Sequence, residues 1–463
     1  MQIIDKSKKA LNPYRVVVLA YAITIIIGMF LLSLPISHVD GKWYFNMDTL
    51  FLATNALSVT GLDPIHGGIG KFLSHFGLII TLTLSQLGGL GIMTISSFIV
   101  ILIGRRLSAN EESFASKDIG ESHGEIIKNL IIKAIKFTFI CEGFGAFILA
   151  NLFYFGDYGL SLDNSVFHGV FFSVMAFCNS GISLYNNSIA NYINSPAIQL
   201  MIIFLATTGG IGFIVISELT SKSLFNKKRM KRGRLSLHSK LTIITTLSIV
   251  LSVATIILLI EYNGNAFKEA GVTTWHQKLL SSLLHVSQSR NAGFSTITTS
   301  TLTDATLILT MCVMFIGAAA GSTGGGIKVT TIAIIFATIR AQIANRKETV
   351  IFDRTINATT VRDAFIICYL YLASFILGTF CLSLTEQYNA AHQLKDVMFE
   401  VLSALTTTGL STGITPDLTV WSKLCIVVCM FVGRLGPITI VMLLGKRNQQ
   451  YLTRFPEENI SVG

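Results

Sequence analysis

Four short segments, each centred on a glycine, recur along the 463-residue chain and are the residues best suited to chemistry. The four glycines lie 120, 112 and 116 residues apart, which indicates an internal repeat. Glycine lets successive backbone carbonyls point to one side, and a ring of carbonyls can replace the hydration shell of a cation. The predicted ion-binding residues are Val59, Thr60, Gly61, Asn179, Ser180, Gly181, Asn291, Ala292, Gly293, Thr407, Thr408 and Gly409.

The residue types in these segments favour a monovalent cation. None of them carries a carboxylate, whereas calcium and magnesium prefer charged oxygen ligands. Each segment follows a short apolar stretch whose helix would direct the partial negative charge of its C-terminal end at the same point. We therefore predict potassium as the ion that the four segments coordinate.

The elements that position the segments follow one pattern. A long apolar run, a stretch too short to cross a bilayer, the glycine segment and a second long run occur four times. We expect an all-α polytopic membrane protein with eight transmembrane helices and four re-entrant pore helices around one pseudo-fourfold pore. The predicted boundaries are a cytoplasmic tail at 1–15, repeats at 16–104, 128–222, 240–340 and 363–446, and a second tail at 447–463.

A second glycine motif supports the repeat. Each final apolar run contains a glycine-rich break, at gaps of 27, 28, 31 and 27 residues from the preceding loop glycine to Gly88, Gly209, Gly324 and Gly436. Small residues at helix crossings explain glycines in membrane helices generally, but they do not explain this register.

Composition and charge place the chain in a membrane. Hydrophobic residues make up 51% of it and charged residues only 13%, against about 25% in soluble domains. The net charge of +10 comes from basic residues clustered in alternate loops, which predicts that both termini are cytoplasmic. The basic run at 227–234 fits such a loop better than a nucleic-acid site. The seven cysteines are scattered through apolar runs and are interpreted as small buried hydrophobes.

These motifs, together with Gly433-Arg434-Leu435-Gly436-Pro437, resemble the Ktr/Trk/HKT superfamily of potassium transporters over nearly the whole chain. The chain looks like the membrane subunit of a bacterial Ktr-type potassium uptake system. The resemblance implies a plasma-membrane homodimer regulated by a cytosolic nucleotide-binding ring of the RCK type, with potassium as substrate and sodium as a candidate activator. It implies no cofactor bound by this chain. In relatives, serine at the first filter glycine goes with sodium permeation, so Gly61 favours potassium.

The third break, at 317–328, is the most unusual segment, because it is rich in glycine and hydroxyl-bearing residues in the middle of a predicted span. A phosphate-binding loop requires Gly-Lys-Ser/Thr, and here Ile327 precedes Lys328 and Val329 follows it. We interpret the segment as a flexible gate below the filter; a packing kink is the alternative. The predicted gate residues are Gly317, Gly321, Ser322, Thr323, Gly324, Gly325, Gly326, Lys328 and Arg434.

Several charged residues carry separate expectations. Arg434 in a span is costly unless paired or wet, so it is either an electrostatic barrier in the pore or paired with helix-end carbonyls. Arg290 is expected to brace its loop rather than touch the ion. Asp63, Asp396 and Glu400 are expected near the outer mouth, where they would attract cations.

Two other classes of protein fit the sequence less well. A secondary transporter with inverted repeats predicts opposite orientations of successive repeats, whereas here each repeat starts and ends on the basic side. A membrane enzyme would need a metal cluster or an acid–base pair, and the sequence shows neither. Because the chain has no nucleotide-binding domain of its own, regulatory input must come from a partner.

Overall fold

The computed structural model describes residues 13–91, 124–156, 158–220, 235–387 and 392–444. The predicted basic clusters at 6–9, 105–106 and 227–234 lie outside these residues, as do most of the two predicted tails. Within the described ranges the chain is helical apart from loops and one hairpin, whose two strands have two residues each.

The described residues of the first half of the chain form eight helices. They are α1 (Pro13–Ser33), α2 (Met47–Ser58), α3 (Ile69–Phe72), α4 (His75–Leu90), α5 (Gly124–Phe155), α6 (Leu162–Phe177), α7 (Pro196–Gly210) and α8 (Phe213–Leu219).

Over 235–387 and 392–444 the second half forms nine helices and the hairpin. They are α9 (Leu237–Glu261), α10 (Asn265–Glu269), α11 (Trp275–Ser289), α12 (Asp304–Phe315), α13 (Val329–Ile343), β1 (Val350–Ile351), β2 (Arg354–Thr355), α14 (Ala358–Thr385), α15 (Leu394–Thr406), α16 (Val420–Leu435) and α17 (Pro437–Leu444). Single 3₁₀ turns occur at Pro35–Ser37, Ala190–Tyr192, Thr299–Thr301 and Thr415–Asp417.

Four short helices, α2, α6, α11 and α15, each end at one of the glycine segments. Helix α2 begins at a capping box in which Asn46 accepts from the backbone N–H of Thr49, and Asp48 in its first turn suits the positive end of the helix dipole. It ends at Val59, which is left-handed with φ 58°; Thr407 ends α15 in the same way with φ 52°. Helices α2 and α15 therefore end at equivalent positions of the first and fourth predicted repeats.

The short helices pack in a cycle. Helix α6 contacts α4, α11 contacts α7, α15 contacts α12, and α2 contacts α16, so each lies against the last long helix of the preceding unit. Because the first short helix packs on the last unit, the four units close on themselves. Phe51, Phe171 and Phe399 on three of the short helices are fully buried.

The long second runs are broken at the glycine-rich segments. Helices α7 and α8 meet at an angle of 101°, and α12 and α13 are separated by the loop at 316–328. As a result only three of the described helices are, singly, long and apolar enough to cross a membrane: Arg15–Ser33, Leu237–Glu261 and Ala358–Thr385; the bent pair α7–α8 is a fourth.

Two buried glutamates join the ends of helices in the third and fourth units. A carboxylate oxygen of Glu261 accepts from the N–H and hydroxyl of Thr303, at 2.9 and 2.7 Å, at the start of α12. Glu386 accepts from the N–H of Thr419 at 3.0 Å and from the hydroxyl of Ser422 at the start of α16. These carboxylates satisfy backbone donors that a helix start leaves free.

Candidate functional site

The four loop glycines meet in one closed ring. Each Cα lies against the carbonyl oxygen of the residue before the next glycine in the chain: Gly61 on Ser180, Gly181 on Ala292, Gly293 on Thr408, and Gly409 on Thr60. A Cβ would lie 2.6 Å from the carbonyl oxygen at the first of these contacts and 2.5 Å at the third, which is closer than real side chains approach. All four glycines also have positive φ, between 64° and 104°. A side chain at any of them would be both crowded and strained.

The loops before the ring are built alike in three units and differently in the third. The N–H of Thr60 donates to the Asn55 carbonyl at 3.1 Å, and the N–H of Thr408 donates to the Ser403 carbonyl at 2.9 Å. Ser180 closes the second loop in the same way. In the third loop the N–H groups of Asn291, Ala292 and Gly293 all lie on the carbonyl of Gln288. The structure thus brings all twelve predicted ion-binding residues to one place, with a departure from fourfold symmetry in the third unit.

Two polar residues of the short helices hold the loops from behind, and the sequence did not single them out. The side-chain oxygen of Asn55 accepts from the N–H of Gly61 at 2.6 Å and of Leu62 at 3.1 Å, and its amide donates to the Leu62 carbonyl at 2.7 Å. Ser403 accepts from the N–H of Gly409 at 3.0 Å. Both lie six residues before a ring glycine, which is the signal that could have found them.

The ring opens into a cavity of about 370 Å³ that all four glycines line. Asp63 is its one acidic residue among the described lining residues, as expected for a residue near the mouth. Burial raises the pKa of the Asp63 carboxyl to about 6, against the opposing effect of hydrogen bonds from the N–H groups of Ile65 and Ile69.

Glu400 does not line the mouth cavity itself but lies behind it, against two residues that do. Its side chain is fully buried and accepts from the hydroxyls of Ser411 and Thr415 and from the N–H of Thr412, the last at 3.1 Å. It braces the segment that leaves the fourth loop. Asp396, half-buried, does not line the described mouth cavity.

The glycine-rich breaks contain two kinds of glycine, three residues apart. Gly88, Gly209 and Gly433 pack on carbonyl oxygens in the last turns of the short helices, those of Leu57, Phe177 and Leu405. Gly91, Gly212 and Gly436 have positive φ of 84°, 96° and 80° and end or begin helices there. Gly436 therefore corresponds to Gly91 and Gly212, and the predicted pairing of Gly436 with Gly88 and Gly209 was wrong. The glycine that matches those two is Gly433.

The loop at 317–328 lies directly under the ring. The hydroxyl of Thr323 is 2.6 Å from the side-chain amide of Asn179, and the N–H of Gly325 donates to the hydroxyl of Thr407 at 3.1 Å. A Cβ on Gly324 would overlap the side chain of Asn291. The loop therefore touches the segments of three units. Most of its residues are buried, while Ala320, Gly321, Ser322 and Lys328 are half-buried.

Three cations hold this loop through backbone carbonyls. Arg434 donates to the carbonyls of Thr323 in the loop and Gly88 in the first unit, by short hydrogen bonds. Arg290 donates to the carbonyl of Gly317 at 3.1 Å, and the amine of Lys328 donates to the carbonyl of Gly324 at 2.9 Å. Of the two expectations for Arg434, pairing with carbonyls is the one that these contacts match.

The helical fold and the ring of carbonyls are those of a cation transport protein. The chain belongs to the TrkH family, described as cation transport protein, whose model matches residues 7–451. It is therefore a transporter of the Ktr/Trk family and not an enzyme, which confirms the resemblance found in the sequence.

Relatives and a solved structure agree with this assignment. The chain is 33% identical over 455 residues to the Ktr system potassium uptake protein D of Bacillus subtilis, covering 98% of each chain. It is 30% identical over 458 residues to the potassium/sodium uptake protein NtpJ of Enterococcus hirae, again covering 98% of each. A crystal structure of the potassium transporter TrkH from Vibrio parahaemolyticus matches with a TM-score of 0.71 and 20% identity over 96% of this chain and 87% of that one, which shows the same fold.

Proposed function

We propose that this chain takes up potassium across the plasma membrane through the ring of loop carbonyls, which acts as a selectivity filter. The observation that carries the proposal is the closure of the ring, because each glycine lies against the carbonyl of the next unit. Carbonyls held this close together can replace the hydration shell of a monovalent cation, and no carboxylate is needed. The name of the Bacillus subtilis relative supports potassium as the ion.

In this proposal eight transmembrane helices and four re-entrant pore helices form four parallel repeats, with both termini in the cytoplasm. Each broken pair, such as α7–α8 or α12–α13, then counts as one span. Irregular backbone at membrane depth is tolerated where it lies inside protein or along a water-filled path, and the ring and the loop beneath it meet that condition.

The loop at 317–328 is the proposed gate. It lies against three of the four filter segments and is held by hydrogen bonds of Arg434 and Lys328 to its backbone carbonyls. The backbone of the loop also forms hydrogen bonds with that of the second unit, so a regulator that binds elsewhere must favour the displaced position by enough to offset these bonds. We propose a cytosolic nucleotide-binding ring as that regulator and a homodimer as the transport unit. Relatives named as components of Ktr systems support a partner.

Sodium is proposed as an activator, which the name of the Enterococcus hirae relative supports. Potassium uptake by a potassium-uptake-deficient bacterium, with and without sodium, tests both parts of the proposal. The parent chain, with its partner subunit, should restore growth at low potassium, and sodium should increase the rate. Failure to restore growth despite normal membrane expression would reject potassium uptake, while equal rates without sodium would reject only the activation.

A further inference from the structure

A large groove lies beside the loop at 317–328, on the flank of the molecule. It has a volume of about 910 Å³ and runs between the first half of α9, helix α13 and the hairpin that follows α13. Its walls are apolar over most of their length, with Ile244 and Ile249 on α9 and the exposed Phe336 on α13. Binding sites for small amphiphiles have volumes of roughly 300–1,000 Å³, so this groove is of suitable size.

One end of the groove is cationic. Arg340 in the last turn of α13 and Arg346 just after it line that end, and no aspartate or glutamate appears among the described lining residues. Neither guanidinium forms an ion pair with a carboxylate in the part of the chain that the structure describes. The nearby carboxylate of Glu348 accepts from the hydroxyl of Thr355 at 3.1 Å instead. An apolar trough that ends in two such arginines complements an anionic amphiphile.

The hairpin carries a second sign that the groove takes a ligand. Phe352 and Asp353 form its turn with φ 48° and 59°, a conformation that favours asparagine and glycine. An aromatic residue there is strained, and burial of its ring does not offset the strain because Phe352 is 47% exposed. The turn places Phe352 in the wall of the groove beside Ile351 and Arg346. An apolar ligand in the groove would cover this ring.

We propose that the groove binds an anionic phospholipid, with its phosphate on Arg340 and Arg346 and its acyl chains along Ile244, Ile249 and Phe336. Basic pockets between membrane helices recognise anionic headgroups by this combination of charge and apolar surface. The long axis fits a lipid because the apolar wall follows α9, one of the helices able to span a membrane.

The lipid also regulates transport, a consequence that rests on the proposed function of the loop. Ile316 lines the groove and pairs with Ile327 in a parallel bridge, so the two ends of the loop are joined at the groove wall. Helix α13 begins two residues later, at Val329. A lipid that holds α13 against α9 therefore fixes the positions from which the loop departs.

Lipid binding is tested on the purified, delipidated full chain. Native mass spectrometry counts phosphatidylglycerol and phosphatidylcholine bound per chain, and it also gives the fraction of dimer. The parent should prefer phosphatidylglycerol, and Arg340→Gln with Arg346→Gln should weaken its binding roughly tenfold or more. The matched control is Lys347→Gln with Arg354→Gln, which removes the same charge from exposed residues outside the groove. A second variant, Ala337→Trp, fills the apolar part without changing charge and should also lower binding.

Three results would overturn the site. Equal binding by the parent and the double arginine variant is one, and an equal loss in the control pair is another. The third is an unchanged lipid count together with a lower fraction of dimer in the double arginine variant, which would show that the groove is a contact between two copies of the chain. Potassium flux in vesicles with and without phosphatidylglycerol tests the regulatory part separately, and equal flux would reject it. Lipid counts do not depend on transport, so they still test lipid binding to the groove if the proposed function fails.

Discussion

Arg434 is a charged side chain at the end of α16 whose cost in a membrane is met by two backbone carbonyls. A charge at the centre of a span costs about 2.5–3.5 kcal/mol or more without a partner. Here the guanidinium connects Thr323 of the loop with Gly88 of the first unit. It is therefore placed to hold the loop under the ring.

Replacing Arg434 should release the loop. Charge-assisted hydrogen bonds contribute about 1.5–3 kcal/mol, so Arg434→Gln should raise the rate of potassium uptake roughly tenfold. Arg434→Lys keeps the charge but loses the planar guanidinium that donates to both carbonyls. Its rate of potassium uptake should therefore lie between those of the parent and Arg434→Gln. Uptake rates at equal membrane expression measure the effect, with Arg362→Gln, an exposed residue near Asp363, as the control. If Arg434→Lys matched the parent while Arg434→Gln did not, charge alone would account for the residue. Unchanged uptake in both would contradict a role for it.

Asp63 should make uptake depend on external pH. Its pKa is raised to about 6, so the carboxyl gains a proton as the pH falls through that value and the mouth loses its negative charge. Fewer cations then gather at the ring, and the apparent KM for potassium should rise about twofold to fivefold between pH 7.5 and pH 5 at low ionic strength. Uptake kinetics over this range check the prediction.

Variants separate Asp63 from its neighbours. Asp63→Asn should show the high KM at every pH. His66 lies 3.3 Å from Asp417 and lines the same cavity, and His66→Gln should keep the pH effect. A pH effect that persists in Asp63→Asn would assign it to another group.

Single residues show where a sequence stops being informative. The ring glycines could be predicted, because glycines that recur at a near-constant spacing indicate equivalent turns in equivalent units. The spacing of Asn55 from Gly61 was a usable signal, but the partners of Asn55 and Glu400 could not be predicted, since an asparagine or glutamate in a short helix has the same appearance whether it faces solvent or a backbone. Only the turn of the chain after α2 and α15 brings Leu62 or Thr412 within reach of them.

At the scale of elements, the loop at 317–328 is shaped by glycines that fit against the ring. A Cβ would overlap the side chain of Asn291 at Gly324 and that of Thr407 at Gly325, and Gly326 has φ 72°. Substituting alanine at Gly324, Gly325 and Gly326 should therefore push the loop off the ring. Such overlaps cost about 1–3 kcal/mol each, enough for a roughly tenfold higher unregulated flux.

Flux of labelled potassium in vesicles, measured with protein amount and thermal stability, checks the effect of the alanines. The matched control is Gly143→Ala on α5, where nothing lies within 4 Å of the new Cβ. Parent-like flux in a stable triple variant would show that the loop is a packing kink and not a gate.

The broken helices were predictable in number but not in detail. A glycine-rich break in each unit was visible, yet its two glycines have different tasks: Gly88 lies against a carbonyl and Gly91 turns the chain. The same pair of tasks, three residues apart, recurs in the second and fourth units, whereas in the third unit Gly321 has the positive φ and Gly324 lies against the side chain of Asn291. The 101° angle between α7 and α8 depends on contacts with the loop, such as that of the Phe213 N–H with the Gly321 carbonyl, which no local pattern reveals.

At the scale of the whole molecule, the cyclic packing of α2, α6, α11 and α15 turns a linear repeat into a closed ring. The spacing of 112 to 120 residues predicted the fourfold frame, because equal units in one chain pack most simply around an axis. The asymmetry within the ring was harder to predict from the sequence. The third unit differs in its loop closure on Gln288 and in the segment beneath it, which is the proposed gate.

The central claim is that this ring selects potassium, and cation selectivity of Gly61→Ser tests it most directly. The relative fluxes of potassium and sodium are measured in vesicles for the parent, for Gly61→Ser and for Gly143→Ser as control. A serine at 61 must displace the Ser180 carbonyl and adopt φ 104°, so the preference for potassium should fall roughly tenfold, while the control keeps it. Parent-like selectivity in a well-expressed, transporting Gly61→Ser variant would contradict the assignment of the ring as the filter.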